Sequence, residues 1–235
     1  MSTLYMVATP IGNLEDITLR ALSVLRQVDV IACEDTRHTK ILLSKYDINK
    51  RLIACHAHNE SASAAGIVNL LESGDSVAYV SDAGTPGISD PGAKVVDMVT
   101  RAGFPVVPIP GVSAMATLVS VAGVIGKTYI FEGFLSPRKG RRKTRLTVLL
   151  ERNEAIILYE SPYRIVKLLE DIAALDPMRT VIIGREMTKT FEEFLRGTAG
   201  ELIRILQERP AVKGECTLCI CPKNLSEQEE ENDEP

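Results

Sequence analysis

Short, continuously apolar stretches alternate with longer amphipathic segments through the first half of the chain. The apolar stretches cover residues 4–9, 30–33, 52–55, 77–80 and 106–109. Between them, apolar positions recur every three or four residues; Asp16 or Thr18 is expected to cap the first of these helices. Buried strands separated by helices are typical of a parallel sheet covered on both faces. This half therefore predicts an α/β domain with a mainly parallel sheet.

The second half also alternates strands with helices, but its last strands predict a different sheet. We predict strands at 128–132, 155–159, 180–184, 192–196 and 216–221, and helices at 139–151, 163–173 and 199–207. Together they favour a mixed sheet. The segment 122–127 has two glycines and little periodicity, so we place a boundary there. The fold class is α/β, with domains at 1–121 and 122–225 followed by an acidic tail at 226–235.

The composition narrows the class of protein. The chain has 235 residues, of which 45% are hydrophobic and 25% charged, and this excludes collagen-like and low-complexity chains. No apolar run reaches the roughly 18 residues that a membrane helix needs, and the N-terminus lacks the basic and apolar regions of a signal peptide. Five cysteines, an odd number, favour the reducing cytoplasm.

Charge is concentrated in two segments. The tail at 226–235 holds six acidic residues and no basic ones, and we expect it to be disordered. Without it, the net charge changes from −4 to +2. The segment 138–145, RKGRRKTR, contains six basic residues, which suits a polyanionic partner, although a solvated helix face explains the charge equally well. These are Arg138, Lys139, Arg141, Arg142, Lys143 and Arg145.

Three loops rich in glycine and proline follow predicted strands of the first domain. They are 10–13 (PIGN), 81–92 (SDAGTPGISDPG) and 110–114 (PGVSA). In open α/β sheets, ligands bind at the carboxyl ends of the strands. Glycine lets a backbone approach a ligand closely, and proline keeps a loop rigid. The first domain therefore predicts a ligand site at this edge.

Familiar motifs are missing or incomplete. The chain contains neither a phosphate-binding P-loop nor the G-x-G-x-x-G dinucleotide fingerprint, and Met115 replaces the last glycine of a nucleophile elbow. An isolated histidine pair such as His56 and His58 is more often a structural or surface feature than a metal site. Cys216 and Cys219 point to opposite faces of a strand, so buried small side chains explain them better than ligation. We predict no metal site.

Two segments of the second domain place charges just after strands. They are 159–164 (YESPYR) and 184–189 (GREMTK). These charged residues can line a ligand-binding cleft. Helix capping and surface ion pairs explain their positions equally well.

Eight further segments stand in a fixed order along the chain: VATPIGNLEDIT (7–18), CEDTR (33–37), SDAGTPGISDPG (81–92), PIPGVSA (108–114), FEGFLSPRKGRR (131–142), YESPYR (159–164), GREMTKTFEEFLRGT (184–198) and KGE (213–215). Together they resemble the tetrapyrrole methylase family and, within it, bacterial enzymes that methylate the ribose of 16S ribosomal RNA. The resemblance covers nearly the whole chain apart from the acidic tail. The chain departs from the pattern at Tyr163, where many relatives are expected to have histidine, and this argues against an imidazole base there.

The resemblance implies a homodimer that binds S-adenosylmethionine in a cleft between two α/β domains. It implies that Asp82 accepts hydrogen bonds or faces the sulfonium charge. The other first-domain contacts that it implies are Pro10, Gly12, Ala83, Gly84, Thr85, Ile88, Ser113 and Ala114. The second domain would contribute Leu135, Thr188 and Gly214, with Glu160 as a further wall residue.

The implied substrate is a cytidine ribose in the decoding region of 16S ribosomal RNA, and the basic segment suits contact with its phosphates. Because the chain has little recognisable RNA-binding sequence beyond that segment, we expect the assembled small subunit to be the substrate. A ribose hydroxyl is a weak acid and a poor nucleophile, so transfer needs a base or an oxygen-orienting group. The unranked candidates are Asp35, Glu160, Glu186 and Lys189.

Other functions stay open at this point. One is C-methylation of a tetrapyrrole, which would not need the basic segment. Another is a non-catalytic RNA-binding factor in ribosome assembly, which would not need the three loops. The residues alone also allow methylation of a base rather than a ribose.

Overall fold

A computed structural model describes residues 2–55, 60–123 and 125–223. Its internal contacts divide the chain into two compact units, Met1–Ser113 and Ala114–Pro235. His56, His58 and the acidic tail lie outside the described residues.

The first unit is a five-stranded, entirely parallel sheet, as the alternation of elements predicts. Its strand order is β3-β2-β4-β1-β5. The strands are β1 (Leu4–Val7), β2 (Val30–Cys33), β3 (Arg51–Ala54), β4 (Val77–Val80) and β5 (Val106–Ile109). The helices are α1 (Leu19–Gln27), α2 (Thr36–Lys45), α3 (Glu60–Glu72) and α4 (Ala93–Arg101).

Local chemistry sets the helix starts of this unit. The hydroxyl of Thr18 accepts the Ala21 N–H at 3.0 Å, so Thr18 caps α1, whereas Asp16 belongs to a preceding 3-10 turn. The central strands β2 and β4 are buried along their whole length, and apolar clusters form on both faces of the sheet. Covering on both faces explains why these strands are apolar without alternation.

The second unit contains a mixed sheet with the order β6-β7-β10-β8-β9, which confirms the predicted sheet type. Strands β6 and β7 are parallel, and β10 runs antiparallel to both β7 and β8. The strands are β6 (Tyr129–Phe134), β7 (Ala155–Glu160), β8 (Thr180–Arg185), β9 (Glu193–Thr198) and β10 (Cys216–Ile220). The helices are α5 (Ala114–Ala122), α6 (Lys139–Leu150), α7 (Ile165–Leu175) and α8 (Ala199–Gln207).

Helix α5 has no counterpart in the sequence interpretation, which ends the first domain at residue 121. The helix packs against β10, and its Leu118 lies beside Gly184 of β8. The internal contacts therefore group α5 with the second unit. Its polar face is narrow, formed by Thr117 and Ser120 alone, so periodicity gives little sign of which sheet it covers.

The buried side chains of the second unit are mostly apolar, with a few polar exceptions. The guanidinium of Arg179 is buried and donates to the Leu150 and Cys221 carbonyls, both at 2.9 Å. All five cysteines of the chain are buried and unbridged, and for Cys216 and Cys219 burial is the predicted state. Within the described ranges, no helix combines the length and apolarity required to cross a bilayer.

Candidate functional site

The three predicted loops of the first unit follow three neighbouring strands. Because the order runs β4-β1-β5, the loops after these strands start side by side at one sheet edge. Thr9 and Gly84 form a two-way backbone pair, with N–H to carbonyl distances of 2.9 and 3.0 Å. The Thr85 hydroxyl donates to the Val112 carbonyl at 2.9 Å. The structure thus brings the three loops together.

The predicted cofactor residues of this edge differ in exposure. Gly12, Ala83 and Ile88 are exposed, and Thr85 is half-buried. Gly84 has φ +82°, and a Cβ there would contact Ile11 and the Val112 carbonyl, which explains why glycine occupies this approach between loops. Pro10, Gly84 and Ser113 are buried and form the base of the edge; Ala114 begins α5.

Three acidic residues gather where β2 and β4 end. Asp82 accepts the Asp35 N–H at 3.1 Å. Glu34, one residue after β2, has a buried Oε1 with no hydrogen-bond partner among the described residues. Burial, with the nearby Asp90 and Asp82 charges, raises the pKa of Glu34 to about 7. The edge is therefore electronegative and suits a cationic ligand group.

Glu34 is a candidate that the sequence analysis misses. It stands beside Asp35 in CEDTR, and the signal that could have found it is its place directly after a fully buried strand. Asp35 itself is committed to other contacts: it caps α2 by accepting the Arg37 N–H at 2.8 Å and pairs with the Arg37 side chain. Hydrogen bonds from Arg37 lower the pKa of Asp35 to about 2, so Asp35 is a weak proton acceptor.

We expect Glu34→Gln to stabilise the protein at pH 8 by about 1–3 kcal/mol and to have little effect below pH ~4.5. The folded-state pKa of Glu34 lies above the unfolded one, so the folded chain retains a proton that the unfolded chain releases. The protonated Glu34 carboxyl contributes this stability below its unfolded-state pKa, and the contribution is lost as the pH rises through about 7. Urea unfolding at pH 4.5, 6 and 8 measures it.

Asp35→Asn serves as the control with the opposite sign, because the pKa of Asp35 is lowered on folding. Its wild-type carboxylate stabilises above the unfolded pKa, so Asp35→Asn is the less stable chain at pH 8. A Glu34→Gln effect that does not change with pH would contradict the assignment of a buried, protonated carboxyl.

In the second unit, the ends of β6, β7 and β8 and the start of β10 share one sheet edge. Glu160, the last residue of β7, is 2% exposed. Its carboxylate accepts the Ser161 N–H at 2.8 Å and lies 3.1 Å from the Arg164 guanidinium. Burial raises the pKa of Glu160, and the Ser161 N–H and Arg164 oppose that rise. Glu160 thus fixes the loop after β7, with little surface left for a substrate.

Glu186 and Lys189 form a network with Glu215, which the sequence analysis does not single out. The Lys189 ammonium donates to both carboxylates at 2.9 Å, and Glu186 also accepts the Glu215 N–H at 2.9 Å. Burial raises the pKa of Glu186, but Lys189 and the Glu215 N–H lower it by more. Burial lowers the pKa of Lys189, but the two carboxylates raise it by more, so the ammonium stays charged.

The backbone around this network is strained. Glu186 and Thr188 have φ values of 50° and 67°, in the left-handed region that non-glycine residues rarely adopt. The Thr188 N–H donates to Glu192 at 2.6 Å, which holds the turn. Strain of this kind, about 1–3 kcal/mol a residue, is common at functional sites. Thr188, a predicted cofactor residue, is therefore in a fixed turn at the sheet edge.

Gly214, another predicted cofactor residue, lies directly against Glu186. Its φ is +90°, and a Cβ there would come within 2.2 Å of Glu186 Cγ. We expect Gly214→Ala to lower the free energy of unfolding by about 1–3 kcal/mol, because the left-handed backbone and the clash both act against it. Urea unfolding and hydrogen exchange in 184–189 measure this change.

Gly200 offers the matched control, since it lies in α8 and a Cβ there meets nothing within 4 Å. Gly200→Ala is expected to stabilise by about 0.5–1 kcal/mol. Equal changes in the free energy of unfolding at the two positions would show that the contact with Glu186 does not require glycine at position 214.

Leu135, the remaining predicted cofactor residue, is buried, and its carbonyl accepts a hydrogen bond from the Arg164 guanidinium at 2.8 Å.

The basic segment forms the first turns of α6, and the structure separates its members. Arg142 is buried against Asp171, with Nε and Nη2 at 2.8 and 2.7 Å from Oδ2. The Arg145 guanidinium forms a bidentate salt bridge with the Glu132 carboxylate, with N to O distances of 2.7 and 2.6 Å. Lys143 lies 3.6 Å from Asp171. Arg138, Lys139 and Arg141 are exposed and form no ion pair with any residue of the described ranges.

The sequence matches a known family over most of its length. The profile described as tetrapyrrole (corrin/porphyrin) methylases matches residues 3–203. Solved structures agree on the fold: diphthine synthase superposes with a TM-score of 0.75 at 15% identity, covering 98% of this chain and 94% of that one. Uroporphyrin-III-C-methyltransferase from Thermus thermophilus gives 0.68 at 18% identity, covering 98% of both chains. The chain belongs to the tetrapyrrole methylase family, and the predicted family and fold are confirmed.

More similar relatives carry one name, ribosomal RNA small subunit methyltransferase I. The protein of that name from Neisseria meningitidis serogroup B is 48% identical over 94% of this chain and 76% of its own length. The one from Borrelia garinii subsp. bavariensis is 48% identical over 92% and 97%. The one from Bacillus subtilis is 44% identical over 98% and 79%.

Proposed function

We propose that this protein is an S-adenosylmethionine-dependent methyltransferase that modifies the ribose of a cytidine in 16S ribosomal RNA. The observation that carries the proposal is 48% identity, over 94% of the chain, to a relative named ribosomal RNA small subunit methyltransferase I. By analogy within that group, the target is cytidine 1402. The exposed cations of α6 support an RNA substrate over a tetrapyrrole.

The residues of the first unit fit the cofactor. S-adenosylmethionine, when bound, supplies a methyl group on a positively charged sulfur. Asp82 offers the negative charge that its sulfonium and ammonium groups require, and the unpartnered Glu34 oxygen offers a buried hydrogen-bonding group beside it. The exposed backbone of Gly12 and Ala83 leaves N–H and carbonyl groups for the adenine and ribose edges. The other proposed contacts are Pro10, Gly84, Thr85, Ile88, Ser113, Ala114, Leu135, Thr188 and Gly214.

Among the four candidate residues, Lys189 fits the role of an oxygen-orienting group best. Asp35 is held by Arg37, and Glu160 is buried behind Arg164. Lys189 is partly exposed, remains charged, and is held by two carboxylates. We assign it to the 2′-hydroxyl oxygen of the ribose, where its remaining N–H orients the oxygen and stabilises the negative charge that develops as the oxygen takes the methyl group from the sulfonium and its proton passes to water. Glu186 and Glu215 position it.

The RNA-contacting set is smaller than the sequence suggests. Arg138, Lys139 and Arg141 are free to bind phosphates, whereas Arg142 and Arg145 are engaged within the unit. Three phosphate contacts provide modest affinity for naked RNA. We therefore propose the assembled small subunit as the substrate. The resemblance to the family leads us to propose a homodimer as the working form, and the unbridged cysteines lead us to propose the cytoplasm as its location.

The decisive experiment is transfer of a labelled methyl group from S-adenosylmethionine to small subunits lacking the modification, with naked 16S RNA in parallel. Digestion to nucleosides locates the label. We expect it in 2′-O-methylcytidine, and more of it from subunits than from naked RNA. Cofactor binding without transfer to either RNA would overturn the RNA substrate, and absence of cofactor binding would overturn the methyltransferase assignment for this chain.

A further inference from the structure

Exposed aromatic side chains are concentrated at one edge of the second unit. Five aromatic residues of the described ranges are strongly exposed, and all five belong to this unit. Tyr129 begins β6 and lies at the opposite edge of the sheet. The other four lie at or next to the edge where β6, β7 and β8 end: Phe134 at 59% exposure, Tyr163 at 89%, Phe191 at 72% and Phe194 at 42%.

These rings are held on fixed backbone. Tyr163 lies in the loop that the Glu160–Arg164 ion pair ties down, and its N–H donates to the Ser161 hydroxyl at 3.3 Å. The Phe191 carbonyl accepts Arg185 at 3.2 Å. Phe134 packs edge-on against Tyr159, with 5.7 Å between ring centroids. A ring on a fixed backbone loses little conformational freedom when a ligand covers it.

The surroundings indicate what covers the rings. The cations Arg138 and Lys139 follow β6 at the same edge, and neither is paired within the described part of the chain. Two of the exposed aliphatic residues of this unit, Leu175 and Met178, lie at the opposite edge. Exposed aromatic rings close to free cations are typical of surfaces that bind single-stranded nucleic acid.

The spacing of the strands suits such a ligand. Strands β7 and β8 both pair with β10, so the loops carrying Tyr163 and Phe191 start about 10 Å apart at a strand separation of ~4.8 Å. Bases stacked at ~3.4 Å would place two or three nucleotides across that distance. Bases inside a duplex are stacked on each other and cannot cover a protein ring.

We propose that Tyr163 and Phe191 stack on unpaired bases, so that this edge binds single-stranded and not double-stranded RNA; the inference rests on the proposed function, whose substrate is RNA. Arg138, Lys139 and Arg141 bind the adjoining phosphates. Phe134 adds a third ring on the β6 side.

Binding of a short labelled single-stranded oligoribonucleotide to the full chain tests this. Tyr163→Ala and Phe191→Ala are each expected to weaken binding by about 5- to 150-fold. Their salt dependence stays that of the wild type, because no phosphate contact is lost. Arg141→Gln, in contrast, reduces the slope of log affinity against log salt by about 0.7.

Tyr129→Ala is the matched control: it removes an exposed ring from the other edge and leaves affinity unchanged. The chain contains no tryptophan, so Tyr163→Trp introduces a single tryptophan that retains stacking. Its fluorescence should be quenched by the single strand and not by the same sequence as a duplex. This variant also reports on position 163 where an alanine variant folds poorly.

Affinity unchanged in both alanine variants, or fluorescence of the Tyr163→Trp variant that does not respond to RNA, would overturn the stacking surface. Methyl transfer by the wild-type chain to small subunits is measured beside it. If the wild-type chain transfers methyl groups normally and the two alanine variants bind RNA with wild-type affinity, only the stacking surface is rejected. Absence of both transfer and RNA binding by the wild type rejects the proposed function, and the stacking surface with it.

Discussion

Replacing Asp171 with alanine is expected to destabilise the second unit by about 3–5 kcal/mol. The substitution leaves the Arg142 guanidinium buried without its counter-charge, and an uncompensated buried charge is among the largest single-residue costs. The Arg142 and Asp171 side chains are each only 6% exposed. Because a domain is stable by about 5–15 kcal/mol, such a loss is a large share of the total.

Hydrogen exchange followed by mass spectrometry measures this loss where it occurs. Exchange should accelerate in β7, α6 and α7 and stay unchanged in β1 of the first unit. The double variant Arg142→Met with Asp171→Leu should restore most of the protection, since apolar replacement of both partners is close to neutral.

Arg145→Ala is the matched control, because it breaks a pair whose arginine is 47% exposed. It should cost no more than about 1 kcal/mol. Equal losses of unfolding free energy for Asp171→Ala and Arg145→Ala would contradict a structural role for the buried Arg142–Asp171 pair.

The same double variant tests whether Arg142 takes part in RNA binding. If Arg142 binds no phosphate, Arg142→Met with Asp171→Leu leaves the slope of log RNA affinity against log salt unchanged.

Replacing Lys189 with methionine is expected to reduce the rate of methyl transfer by about 10²- to 10⁴-fold. Methionine retains most of the length of the side chain and removes the charge that Glu186 and Glu215 hold in place. Single-turnover transfer to small subunits measures the rate, and equilibrium binding measures cofactor and RNA affinity. The fall should be in the rate and not in either affinity, because the ammonium acts on the reacting oxygen.

Lys213→Met removes a lysine from the same sheet edge outside this network and should leave the rate unchanged. Glu215→Gln should give a smaller loss than Lys189→Met, since Glu186 still holds the ammonium. A normal rate in Lys189→Met would return the role to Asp35, Glu160 or Glu186. A loss confined to RNA affinity would make Lys189 a phosphate contact.

The order of strands and helices can be derived from the sequence because short buried strands and amphipathic helices leave different patterns. Helix α8 is predicted at the same residues, since Thr198 and Glu201 form a capping box. Helix α5 escapes prediction because seven of its nine residues are apolar, and Thr117 and Ser120 form only a narrow polar face. The pairing of β8 with β9 is easier to foresee, because only a short link joins the two strands.

The candidate site is predictable in its loops and less so in its side chains. The glycine and proline loops after β1, β4 and β5 can be found, since backbone requirements leave a mark on composition. The ion pairs of Arg142 and Asp35 cannot be found in this way. Asp171, the partner of Arg142, is 29 positions away in the sequence, and the contact of Asp35 with Arg37 depends on how α2 begins. Charge alone says nothing about which arginine is buried.

The place of β1 in its sheet has a consequence for synthesis of the chain. Residues Leu4–Val7 pair with Val77–Val80 on one side and Val106–Ile109 on the other. During synthesis, β1 therefore leaves the ribosome about seventy to a hundred residues before the strands that it pairs with. Until then its apolar side chains are exposed to chaperones and to other nascent chains, and any segment joined directly before β1 is attached to an interior strand of the sheet rather than to an edge strand.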